Sequence, residues 1–194
     1  EIQYGPIPIG DWTPQFQALG YEADGMTNEF PWMGYKIIEL DSDTKEEIWI
    51  WNVFNHYSMN DYDYIGGTWW NALIDGYYDW THVNALDFND ELDFLYISNR
   101  QLSRITKLNY PNGDIIWNMG LSEEYHSGDN NICTELNFSW QHHISILDNG
   151  NLLFFDNGNL SNIIRNTNYS TSRILEIEVL ENQICNINCY FTTC

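Results

Sequence analysis

Three stretches of this chain repeat one pattern: an apolar alternating strand, a polar turn and a second apolar strand. They are Tyr35-KIIELDSDTKEEIWIW-Asn52, Ile105-TKLNYPNGDIIW-Asn118 and Ile174-LEIEVLENQICNI-Asn188. Ile37, Ile105 and Ile174 open the equivalent strands, 68 and 69 positions apart. Even spacing of this kind marks a repeated structural unit. The turns Asp41-Ser-Asp-Thr and Pro111-Asn-Gly-Asp carry hairpin chemistry, since Asx side chains bond their own backbone and Asn-Gly tolerates positive φ. A second repeat lies between the hairpins. Trp80-Thr-His82-Val-Asn-Ala-Leu86 and Trp140-Gln-His142-His-Ile-Ser-Ile146 lead into the apolar strands Phe94-LYIS-Asn99 and Leu152-LFFD-Asn157.

Each unit thus holds about four short strands, the pattern of a propeller blade. The expected fold is all-β, a β-propeller present as an incomplete set of four-stranded antiparallel blades in one partial domain over residues 1–194. Residues 1–65 read as the end of one blade plus a long insertion, 66–120 as a blade, and 121–194 as a blade plus part of the next. In a propeller the first strand of each blade lines the central channel. His82 and His142, each two residues after a Trp, are therefore expected to converge on one axial site. A lone His at a strand start reads as a hydrogen-bonded cap; two at matched repeat positions favour a shared site.

Composition agrees with strands: 43% hydrophobic, with nine Trp and thirteen Tyr set among short β-branched runs. Little helix is expected. Seven basic against twenty-eight acidic residues give a net charge of -21, which repels phosphate backbones and anionic lipid and argues against a nucleic-acid partner. In such a field Arg100, Arg104, Arg165 and Arg173, the only arginines, are informative wherever an anion is to be bound. No apolar run of about 18 residues exists, so no membrane-spanning helix is expected. The opening at Glu1 without a leader reads as an excerpt of a longer chain.

Cys133, Cys185, Cys189 and Cys194 lack zinc-site spacing and favour disulfides in an oxidising compartment, hence a secreted or periplasmic location. Asn137, Asn159 and Asn168 begin glycosylation sequons that arise by chance in an Asn-rich chain. Asp61, Asp63, Asp75 and Asp79 lack the spacing of a calcium loop and read as solvated loop carboxylates. Trp69, Trp70, Tyr77 and Tyr78 either wall a substrate mouth or cover the core. His56 reads as structural and His126 as an exposed loop residue. Serine-hydrolase, P-loop and dinucleotide fingerprints are lacking.

The segments Gly34-YKIIELDSDTKEEIWIWNVFNHYSMNDYD-Tyr64, Asp79-WTHVNALDFNDELDFLYISNRQL-Ser103, Gly113-DIIWNMG-Leu121, Phe138-SWQHHISILDNGNLLFFDNG-Asn159 and Thr171-SRILEIE-Val179 resemble successive motifs of the arylsulfotransferase family, in order, over roughly residues 33–180. The resemblance implies a six-bladed propeller. It also implies sulfuryl transfer from an aryl sulfate to a phenol, without the nucleotide donor PAPS and without a cofactor or metal, by a ping-pong route through a sulfated His. His142 then corresponds to the nucleophile, with His82 and Arg100 as its catalytic partners. Asn84, Trp80, Gln141 and Gln101 are the expected substrate-binding residues.

Two departures from the family accompany the match. His143 follows the nucleophile where the family has a small or acidic residue, and it is an alternative attacker. Gln101 stands where the family has a His. A further active-site His and a basic residue that the resemblance implies in flanking blades have no counterpart in this sequence, so the resemblance leaves the activity of the isolated piece open. Exposed blade edges would favour oligomers. The rival reading is a non-catalytic propeller that binds a ligand or protein; the joint presence of His82, Asn84, Arg100 and His142 favours the enzyme.

Overall fold

A computed structural model describes residues 1–180 with their side chains and the backbone of residues 184–190. It consists mostly of antiparallel strands with three short helices, so the chain is all-β. No closed ring of blades is formed by the described residues. The chain divides into two compact units, Glu1–His82 and Val83–Cys194.

The first unit is built on aromatic packing. Strands β1 (Ile2–Gly5), β2 (Phe30–Met33) and β5 (Tyr78–Asp79) form one sheet in the order β1-β2-β5, antiparallel and then parallel. Over it lie α1 (Thr13–Ala18) and α2 (Thr68–Asp75). Trp69 stacks on Tyr78 at 4.0 Å between ring centres and 11° between planes. Trp32 meets Tyr78, Trp80 and Trp69 edge-on, and all four rings are fully buried. Such rings bury large apolar areas and add about 0.5–1.5 kcal/mol per pair through their geometry. The open question over the insertion aromatics thus divides: Trp69 and Tyr78 are core, whereas Trp70 and Tyr77 remain partly exposed.

Asp63 departs from the expected solvated carboxylate. It is only 5% exposed and accepts from Gly66 N (2.8 Å), Thr68 N (3.3 Å) and Thr68 Oγ1 (2.8 Å). It therefore satisfies orphan donors where α2 begins, and Gly76 in the left-handed region (φ 76°) ends that helix. The hairpin of β3 (Lys36–Leu40) and β4 (Glu47–Asn52) stands as a two-stranded sheet with Ile37 opposite Trp51. Its turn closes as an Asx turn, with Asp41 Oδ1 accepting from Asp43 N at 2.9 Å and Thr44 N at 2.7 Å.

The second unit contains two four-stranded antiparallel meanders. The first joins β6 (Val83–Asn89), β7 (Phe94–Asn99), β8 (Arg104–Asn109) and β9 (Ile115–Gly120). The second joins β10 (His142–Ile146), β11 (Leu152–Asp156), β12 (Arg173–Leu180) and β13 (Ile184–Tyr190). The short α3 (Ser161–Ile164) lies between β11 and β12. Ile105 faces Met119 and Ile174 faces Tyr190, so the second and third repeat segments form hairpins as the first does. Gly113, at φ 78°, takes the left-handed position that the Asn-Gly turn requires. The two sheets meet through β10, which packs on β6 and β7. Tyr96, Ile105, Met119, Phe138, Ile144 and Phe154 form part of the shared core, each contributing about 1.5–3 kcal/mol by burial.

Of the four cysteines, Cys133 is buried at 5% exposure. The side chains of the other three, and with them the expected disulfide pairing, lie outside the described residues.

Candidate functional site

The segments carrying Asn84, Ser98 to Gln101 and Trp140 to His142 come together in the second unit. Gln141, wholly buried, holds them. Its Nε2 lies within bonding distance of Ser98 Oγ (3.1 Å), Asn99 O (3.3 Å) and Arg104 O (3.0 Å). Asn84 Nδ2 donates to the Gln141 carbonyl at 2.8 Å. Asn84 occupies a bulge between Val83 and Ala85, which turns its side chain toward the start of β10 instead of along the sheet. These bonds tie the first strand of one sheet to the first strand of the next, just before His142.

His142 opens β10 opposite Phe155 and is half-buried. Its Nδ1 meets Asn157 Oδ1 at 3.2 Å. A second bulge follows at once, between His142 and Ser145, and the exposed His143 lies inside it at φ 57°. Arg100, half-buried in the turn after β7, lays its guanidinium 4.1 Å from the centre of the Trp140 ring and donates through Nη1 to Gln101 Oε1 at 2.9 Å. Stacking fixes the plane of the guanidinium and leaves its edge as the hydrogen-bonding face. Gln101 itself is 7% exposed.

The remaining arginines serve the fold. Arg104 is buried, with Nε donating to Ser127 O at 2.7 Å. Arg173 donates through Nε (2.9 Å) and pairs through Nη2 (2.8 Å) with Asp156 Oδ2, and Arg165 Nη1 lies 3.5 Å from the same oxygen. Asp156, fully buried, accepts from Ser139 N (2.9 Å) and Gly158 N (2.8 Å) through its other oxygen.

His82 and Trp80 belong to the first unit. His82 sits at φ 46° with Nδ1 against Asp79 Oδ2, and its ring lies 6.1 Å from that of Tyr35. Burial, followed by the Asp79 charge beside it, raises the Tyr35 hydroxyl above its usual pKa. Trp80 is fully buried, and its indole N–H donates to Asp61 O at 2.7 Å. The indole N–H of Trp80 and the amide nitrogen of Gln141, two residues expected to bind substrate, are thus engaged with the protein itself, while Gln141 Oε1 is buried without a hydrogen-bond partner.

The matched positions of His82 and His142 in the sequence do not survive in strand register. Asn99 and Asp156 are equivalent, because each pairs with the arginine that opens the third strand. His142 lies opposite the residue before Asp156, and the residue opposite that before Asn99 is Ala85. His142 therefore corresponds in register to Ala85, and the bulges account for the slip.

Elsewhere, His56 stacks on Trp51 at 4.6 Å and 11°, and His126 caps a 3-10 turn at φ 55° on the surface. No group of three or more His, Cys, Asp or Glu side chains is placed to share a metal ion among the described residues. No helix among them is long and apolar enough to cross a membrane. Asn157 is the residue that the sequence reading missed. It appears there only as the end of an apolar strand, although an Asn one position beyond a buried Asp at a strand end is a candidate partner for the neighbouring His.

A search of curated proteins finds no match to this chain. The family model described as Arylsulfotransferase (ASST) matches residues 23–187, a span that contains every residue of the cluster around His142. With most of its length inside that match, the chain belongs to the arylsulfotransferase family.

Proposed function

We propose that this protein transfers a sulfuryl group from an aryl sulfate to a phenol by a ping-pong route through His142, on a propeller of which the two four-stranded sheets are successive blades. The family match, running through His142, Arg100 and Asn84, is the observation that carries this reading. In the first half-reaction a ring nitrogen of His142 attacks sulfur; the N–S bond forms and the S–O(aryl) bond breaks. The aryloxide leaves with the bonding pair. In the second half-reaction a phenol oxygen attacks the same sulfur, the N–S pair returns to the ring, and the phenolic proton passes to solvent.

Sulfuryl transfer spreads negative charge over the nonbridging oxygens, as phosphoryl transfer does, so fixed donors lower its barrier. The stacked guanidinium of Arg100 supplies such donors. Asn84 gives one amide proton to Gln141 and keeps a second for a sulfuryl oxygen. The family motif assigns His82 a share in binding those oxygens and polarising the leaving group. Its Nδ1 contact with Asp79 makes Nε2 the atom that would do so.

Incubation with 4-nitrophenyl sulfate in the absence of an acceptor should leave one sulfuryl group on His142, and added phenol should discharge it. His142→Ala should abolish label and turnover together. Arg100→Ala should retain the nucleophile while lowering kcat by about 10²–10³, the loss expected for one oxyanion donor. A label on His143 would move the nucleophile by one residue. A protein that is never labelled, yet binds an aryl ligand, would be the non-catalytic binding module.

A further inference from the structure

We infer that Asn157 is a positioning residue that holds His142 as the Nδ1–H tautomer and so directs its nucleophilic lone pair to Nε2. This inference rests on the reading of His142 as the sulfuryl carrier and names the atom that does the work.

The amide oxygen of Asn157 lies 3.2 Å from Nδ1 of His142. An amide oxygen only accepts, so Nδ1 must carry the proton and Nε2 the free pair. Free imidazole divides between its tautomers; a fixed acceptor on one nitrogen removes that division, as the partners of metal-binding and catalytic histidines do. The choice matters for chemistry. Only the unprotonated nitrogen attacks sulfur, and a ring carrying its proton on Nε2 would turn its lone pair toward Asn157.

The surroundings hold both partners still. Asn157 directly follows Asp156, whose carboxylate is fixed by Arg173, Arg165, Ser139 N and Gly158 N. The Asn157 carbonyl accepts from Ser172 Oγ at 2.9 Å. On its other side Gly158 sits at φ 64° against the Thr171 carbonyl, a place where an added Cβ would collide with backbone. The His142 backbone is held through Gln141, which is buried and bonded to Ser98, Asn99, Arg104 and Asn84. Two rigid backbones thus face each other across one side-chain hydrogen bond. The bulge begins directly after His142, which stays paired with Phe155, and the side-chain partner that its ring Nδ1 meets is Asn157.

The test separates tautomer from turnover. In the ¹⁵N-labelled protein at alkaline pH, two-bond ¹H–¹⁵N correlations of the His142 ring, identified by their loss in His142→Gln, should show a protonated Nδ1 and a bare Nε2. Asn157→Leu should shift that ring toward the Nε2–H form. It should also lower kcat by roughly ten- to a hundredfold, with little change in KM, the usual scale for removing an orienting partner. Asn157→Asp keeps an acceptor in the same place and should retain the Nδ1–H pattern, with any sulfuryl label on Nε2 alone. An Asn157→Leu protein that keeps the Nδ1–H pattern, or that turns over at the wild-type rate, would overturn the proposal. If wild type shows the Nδ1–H ring but takes no label from 4-nitrophenyl sulfate, the sulfuryl-transfer reading fails while Asn157 is still seen to orient His142.

Discussion

Removing the carboxylate of Asp156 would leave two guanidinium groups, those of Arg173 and Arg165, without the charge that they now share. It would also orphan Ser139 N and Gly158 N. Breaking a buried pair from one side costs about 3–5 kcal/mol, because the surviving charge stays desolvated. Asp156→Ala should therefore lower the unfolding free energy of the second unit by that amount, seen as a fall in its denaturant midpoint. An unchanged midpoint would mean that water reaches the arginines. At this scale the sequence is least legible. Asp63 and Asp156 look like any other carboxylate in a chain with twenty-eight acidic residues, and burial separates them only once the backbone has folded. Asn157 is hidden for the same reason, since its partner His142 lies fifteen positions away.

Elements were far more legible than residues. The strands opened by Ile37, Ile105 and Ile174 form as hairpins because alternation and turn chemistry are local properties that need no tertiary information. What alternation cannot reveal is a bulge. The extra residues at Asn84 and after His142 add one to the count without changing the apolar pattern, and they undo the apparent equivalence of the two histidines. The insertion after β4 was legible as an interruption but not as α2, whose start depends on Asp63. Burial holds the Asp63 carboxyl above its ordinary value of 3.8, so the folded chain binds that proton more tightly than the unfolded chain. Its contribution to stability is fully present below the ordinary value and is lost as pH rises through the folded one. Asp63→Asn should remove that part of the decline in thermal stability between acid and neutral pH. A wild-type and variant pair with parallel pH profiles would show that the bonds from Gly66 and Thr68 outweigh burial.

For the whole molecule, a charge of -21 sets the long-range field. An aryl sulfate, the proposed donor, is an anion, so its approach is opposed until it reaches the proposed oxygen-binding Arg100, and dissolved salt shortens the range of that opposition to about 8 Å at physiological strength. The kcat/KM for a singly charged aryl sulfate should accordingly rise as sodium chloride is increased from low millimolar to physiological levels, while that for an uncharged phenol stays nearly constant. A fall with salt would show that local attraction by the arginine and histidines governs capture.

Several non-glycine residues occupy left-handed backbone, among them His82, Trp140 and His143, which lie in the motifs proposed to carry the chemistry, and Ala23 and Lys45, which lie outside those motifs. Each is a conformation that glycine would adopt more readily. The molecule therefore has two kinds of place at which it can be made sturdier. At Ala23 or Lys45 the gain should leave sulfuryl transfer untouched; at His82 or Trp140 the same exchange would discard the imidazole or the platform beneath Arg100. An engineer selecting for heat resistance alone would draw variants from both groups, and only an accompanying selection for turnover would tell them apart.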